Sequence, residues 1–167
     1  MTYSKLSGKQ LIEAWIQLLA LSADQPGRDV SAVYVGRFDD DTAAARVLGQ
    51  PQDPPLAVLR DLVALFDAGR REPLPLPART SFAWATARHA GTNPLPTAAA
   101  QWNSHPDHSR ENEKPAPAKA WGHRAPLSVL LVPPRPGEEV PGEDTRLGAF
   151  AARLWLPMLR AERKPPR

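Results

Sequence analysis

Asp39-Asp40-Asp41 follow a run of β-branched and aromatic residues, Val30 to Arg37, and acids at a strand end are where a divalent-metal nuclease begins its site. Restriction-type nucleases complete it with Glu-x-Lys on the neighbouring strand. Two acids hold Mg²⁺ and the lysine stabilises the developing charge. Here the following segment reads Ala43-Ala44-Ala45-Arg46-Val47-Leu48, with neither Glu nor Lys. Glu111-Asn112-Glu113-Lys114 supplies acids and a lysine, but with Pro115 next, which places it in a polar loop. The aspartates therefore read as a solvated turn. His105-Pro106-Asp107-His108 resembles a metal pair, yet two histidines three apart share a face only on a helix, and Pro106 opposes one. His89 and His123 stand alone. Phosphate-loop, dinucleotide-binding and serine-nucleophile motifs are absent from the sequence. No catalytic residue, metal ligand or cofactor is assigned.

The elements that would position these groups follow from periodicity and punctuation. Ser7 and Gln10 match a capping box ahead of a helix with Leu11, Trp15, Leu18 and Leu19 on one face, running to about Ala23. Val30–Arg37 reads as a strand and Thr42–Leu48 as a weaker return strand, with 38–41 as the turn. Asp53-Pro54-Pro55 opens a helix whose buried stripe is expected at Leu56, Leu59, Val63 and Phe66, with Gly69 as its left-handed cap. Glu72–Pro77 (EPLPLP) must be extended. Thr80 or Ser81 is expected to cap a helix that ends at Gly91, and Thr97 a short one through Trp102.

Residues 103–117 read as a surface loop, 118–121 as a short element ending at Gly122, and 127–132 as an apolar run of undecided type. The segment 133–142 looks like a linker. A last helix starts near Asp144 or Thr145, and Pro157 should kink or end it. The tail 161–167 is expected to be disordered. The five tryptophans fall one to each helical segment and read as core anchors rather than base-stacking platforms.

Composition bounds what such a chain can be. With 167 residues, 42% hydrophobic and 23% charged, it is long enough for a real core and a single domain is expected. Absence of cysteine rules out disulfides and thiolate zinc sites and fits a reducing cytoplasm. No run is apolar enough to span a bilayer, so no membrane partner is expected. A net charge of +3 is modest. Its cations gather at Arg70-Arg71 and in the tail at Arg160, Arg163, Lys164 and Arg167, where phosphate contact competes with the plainer role of stabilising a helix end. Arg160, Arg163 and Lys164 are the candidate DNA contacts.

Several blocks together resemble one family. Ser4-Lys5-Leu6 before the helix of Trp15 is similar to the opening of the C-terminal domain of exodeoxyribonuclease V gamma subunits (RecC). So is Arg70-Arg71-Glu72-Pro73-Leu74-Pro75-Leu76-Pro77 followed by Ala83-Trp84-Ala85. Trp102, the charged loop through Glu113 and Trp121-Gly122 match the next block in an actinobacterial-looking form. Phe150 and Leu154-Trp155-Leu156-Pro157-Met158-Leu159 resemble the terminal helix. The order and spacing of the blocks carry the resemblance, which runs from residue 1 to about 160.

The resemblance implies a helix-rich α/β (α+β) fold around a degenerate restriction-endonuclease-like core with a small sheet. It implies no chemistry of its own, a place in the RecBCD repair complex, and the alpha (helicase) and beta (helicase–nuclease) subunits and DNA as partners. The acidic pair reduced to Glu111 and Glu113 departs from the family pattern. Because Met1 falls inside the expected domain, the chain reads as a fragment of a longer gamma subunit lacking a first strand. Pro73, Leu74, Pro75, Leu76 and Pro77 are the candidate partner contacts, since an extended proline segment is pre-ordered for docking. A small Mg²⁺ nuclease using Asp39–Asp41 with Glu111 or Glu113, and a free-standing interaction module, remain the alternative readings.

Overall fold

Apolar spacing at the N-terminal end produces the expected helix. In the computed structural model, which describes residues 8–37, 43–103 and 110–163, α1 spans Gly8–Asp24 and buries Leu11, Trp15, Leu18 and Leu19. Ser7 of the expected capping box lies outside the described residues, as do the Asp39–Asp41 turn, the His105–His108 cluster and Lys164. Gln25 N–H donates to the Leu21 carbonyl at 3.0 Å, and Gly27 at φ +86° turns the chain out of the helix.

β1 (Ala32–Arg37) and β2 (Ala43–Leu48) pair antiparallel from Ala32↔Leu48 to Arg37↔Ala43. The alanine run joins a strand without preferring one, because its backbone satisfies β1 and Val47 and Leu48 are buried further along. The tail expected to be disordered over 161–167 is corrected at 161–163; residues 164–167 lie outside the described residues. Glu162–Arg163 form a third strand, β3, pairing Val47↔Arg163 and Leu48↔Glu162, so the sheet order is β1-β2-β3. Gly49 N–H donates to the Ala161 carbonyl at 2.8 Å, and a Cβ on Gly49 would run into the Arg163 side chain. These strands and α1 belong to one compact unit, residues up to 64 with 157 onward; residues 65–156 form a second.

Helix α2 runs Pro55–Arg71 and corrects two expectations. Leu56, Val63 and Phe66 are 54%, 58% and 66% exposed, whereas Val58 and Leu65 are buried. The helix carries apolar side chains on two faces, and periodicity alone does not choose between them. Gly69 is not a left-handed cap either; the helix continues two residues beyond it.

In the second unit, α3 spans Ala78–His89 and packs on α4, Pro94–Asn103. Thr80 and Ser81 are not caps but fully buried interior residues of α3. Thr97 likewise lies inside α4, its hydroxyl donating to the Pro94 carbonyl, while the Asn93 side chain accepts from Leu95 N–H at 3.0 Å and does the capping. The expected loop at 103–117 is corrected over its described part. Glu111–Glu113 form a 3₁₀ turn and Pro115–Trp121 a helix, α5, closed by Gly122 at φ +98°. The undecided run resolves as a 3₁₀ turn at Leu127–Leu130. Helix α6 spans Arg146–Ala161, so Pro157 does not end it.

Trp15, Trp84, Trp102 and Trp155 are core, as expected; Trp121 is only partly buried. Three indole N–H groups in the second unit find acceptors. Trp102 donates to the Ala125 carbonyl at 2.8 Å, Trp155 to the Ser81 hydroxyl at 3.0 Å, and Trp84 to Glu143 at 3.1 Å. The architecture is helix-rich α/β with a small three-stranded antiparallel sheet.

Candidate functional site: a groove beside the proline segment

The EPLPLP segment leaves α2 and enters α3. Leu76 N–H reaches back to the Leu74 carbonyl at 2.7 Å, so the segment bends at Pro75 rather than running straight. Of the candidate partner contacts, Pro73 is exposed, Leu74 and Leu76 are half-buried, and Pro75 and Pro77 are buried. The accessible part of the motif is therefore Pro73, Leu74 and Leu76.

Leu76 and Pro77 form one wall of a groove of about 570 Å³, and Pro115, Pro117, Ala120 and Trp121 of α5 form the other. Trp121 is held edge-on to Trp102, ring centroids 6.0 Å apart. Glu111 sits at the groove and is buried, with its charge spent on structure. One carboxylate oxygen accepts from Arg79 N–H at 3.0 Å; the other accepts from Thr80 N–H and the Thr80 hydroxyl, both at 2.7 Å. An acid there satisfies the free N–H groups of the first turn of α3 and its positive dipole end. Nothing local in the sequence marks this, because the partners stand about thirty positions away. Asn112, also buried, donates to the Ala125 carbonyl and to Asn103. Glu113 pairs with Arg124 at 2.7 Å, and that arginine adopts φ +58°.

Two further acid clusters brace the unit. Arg146, at the start of α6 and buried, pairs in bidentate fashion with Glu138, at 2.6 and 2.7 Å, and reaches Glu72 at 3.0 Å. Arg135 also grips Glu72, at 2.7 and 2.9 Å. Hydrogen bonds from Arg135 and then Arg146 hold the Glu72 carboxyl below the usual range, and Arg146 does the same to Glu138. Those bonds in turn raise the Arg146 guanidinium. Glu143 accepts from Trp84 and pairs with Arg88 at 2.8 Å, while Arg88 also donates to the Gly142 carbonyl. The linker-like segment 133–142 is thus tied down through its charges.

The described candidate DNA contacts, Arg160 and Arg163, lie in the first unit. Arg160 is exposed in the last turn of α6 and Arg163 is exposed on β3. Among the described residues, no three His, Asp or Glu groups converge as metal ligands would. None of the described helices is long and apolar enough to cross a membrane.

The model of the RecC C-terminal domain family matches residues 1–89. The chain belongs to that family. Curated RecC relatives extend the match. The "RecBCD enzyme subunit RecC" of Mycobacterium tuberculosis, in strains CDC 1551 and H37Rv, is 55% identical over 161 residues, 96% of this chain. That of Mycolicibacterium smegmatis is 54% identical over 163 residues, 97% of the chain. The chain spans 15% of the length of these relatives. No solved structure matches it significantly. The blocks around Trp15, the proline segment and Ala83-Trp84-Ala85 all fall inside the stretch matched by the RecC C-terminal domain model.

Proposed function

We propose that this RecC C-terminal domain is a structural and assembly element of a RecBCD-type exodeoxyribonuclease V complex in double-strand-break repair, guiding DNA without catalysing its cleavage. One observation carries the non-catalytic part. Both oxygens of Glu111, an acid the nuclease alternative would use, cap α3 and are buried. In this reading the three-stranded sheet is a reduced remnant of a restriction-endonuclease-like core, and the domain needs no cofactor. The alpha and beta subunits and DNA are its partners, in the cytoplasm. Pro73, Leu74 and Leu76, with the groove behind them, are the protein-facing candidates; Arg160, Arg163 and Lys164 are the phosphate-facing ones.

Two measurements test it. Incubated with linear single- and double-stranded DNA and Mg²⁺ or Mn²⁺, the purified chain should leave both intact. Degradation abolished by a triple Asp39/Asp40/Asp41→Ala variant would establish the nuclease instead. Titrated against the alpha helicase subunit and, separately, a short single-stranded oligonucleotide at physiological salt, the chain should bind the subunit more tightly. Submicromolar, salt-resistant DNA binding without subunit association would overturn the assembly role.

A further inference from the structure

β1 is an edge of the sheet. It pairs with β2 along its whole length, and among the described residues no strand pairs with its other side. About half of its backbone donors and acceptors therefore point outward, a ready template for another strand. Its side chains do nothing to discourage one. Val33 and Val35, two apart and so on one face, are 63% and 64% exposed. Edge strands are ordinarily blunted by charge, proline, a bulge or shortness. β1 runs six residues in unbroken register, with no proline and no charge before Arg37.

Relatives 54–55% identical to this chain are matched over only 15% of their length, so most of a RecC polypeptide lies outside the matched stretch. We propose that β1 is an acceptor edge for a strand supplied by the remainder of a RecC-type gamma polypeptide, an extended apolar segment whose alternate side chains cover Val33 and Val35. A second copy of this chain fits less well. Two six-residue edges bury far less than the roughly 1,200 Å² a stable association needs, whereas a tethered strand acts at an effective concentration in the millimolar range. The inference rests on the proposed place of this chain in a RecC polypeptide and not on its docking to the alpha subunit, and a separate readout distinguishes the two.

The 167-residue chain is grafted in place of the matched region of Mycobacterium tuberculosis RecC, and amide exchange of Ala32–Arg37 is followed in the isolated chain and in the graft. Association of the graft with the alpha subunit is scored in parallel. The outward amides of β1 should exchange freely in the isolated chain and slow on the order of 100-fold or more in the graft. V33K/V35K should leave the melting of the isolated chain unchanged and remove the protection in the graft. Equal exchange in a graft that still binds the alpha subunit overturns the strand and leaves the assembly reading standing. Protection without subunit association supports the strand and removes that reading. An isolated chain that sediments as a dimer with β1 protected assigns the edge to a second copy and overturns the proposal. If the graft does not fold, the stretch of unmodified M. tuberculosis RecC aligned with Ala32–Arg37 decides: protection supports the proposal, free exchange overturns it.

Discussion

Glu111 combines a charge, a buried position and three hydrogen bonds to the first turn of α3. Its replacement by alanine should cost about 2–3 kcal/mol in denaturant unfolding, because hydrogen bonds to a charged group are worth more than neutral ones and three donors lose their acceptor together. Thr80→Val should cost less, since the Thr80 and Arg79 N–H groups keep the carboxylate. Trp155 is 2% exposed, stacks edge-to-face on Phe82 at 5.1 Å and donates to Ser81. Trp155→Ala should cost about 3–5 kcal/mol and lower the melting temperature sharply. Unchanged melting with weakened DNA or partner binding would make Trp155 a contact residue instead. Of these two residues only the tryptophan was readable in advance. Its neighbours recur at helical spacing in sequence, whereas the bonds of Glu111 are made across the fold.

The existence and type of the main elements were largely legible, while their caps and the faces they bury were less so. α1, the β1–β2 hairpin and the proline segment follow from periodicity and from where proline forbids helix. The inward face of α2 does not, because Leu56, Val63 and Phe66 repeat as regularly as Val58 and Leu65. The two sets separate experimentally. Val58→Ala and Leu65→Ala should each destabilise the isolated chain by roughly 1–4 kcal/mol. Leu56→Ser and Val63→Ser should stay within about 0.5 kcal/mol of wild type. Equal losses in both sets would mean that the outward face is covered. The clamp of Arg146 with Glu138 and Glu72 joins α6 to the proline segment, and it predicts a pH dependence. Both carboxyls are depressed in the folded state, so their contribution is fully present above the ordinary glutamate pKa of ~4.3 and is lost as pH falls through the lower folded values. The arginine stays charged throughout and adds no slope. Melting should therefore fall more steeply below pH ~4.3 in the wild type than in Arg146→Met, and matching acid limbs would discount the clamp.

At the scale of the whole chain, a net charge of +3 suits contacts that steer rather than grip. Non-specific binding to single-stranded DNA should fall on the order of 10⁻⁴–10⁻⁶ M, with affinity dropping as salt rises. Arg160→Ser with Arg163→Ser should flatten the logarithmic salt slope by roughly 0.7 for each phosphate no longer neutralised. An unchanged slope would move the DNA-facing surface elsewhere. The same Arg163 takes part in an arrangement with a different consequence. Its strand completes the sheet beside Val47 and Leu48, residues from the opposite end of the chain. On the ribosome, β2 emerges well before β3 and must wait with that side unpaired until the polypeptide has been made as far as Arg163. Domains usually mature in the order in which they are translated. This sheet departs from that order: β2, made before residues 65–156, is secured on that side only after them, and a chain stalled before β3 would hold a template for mispairing in the crowded vicinity of other nascent chains.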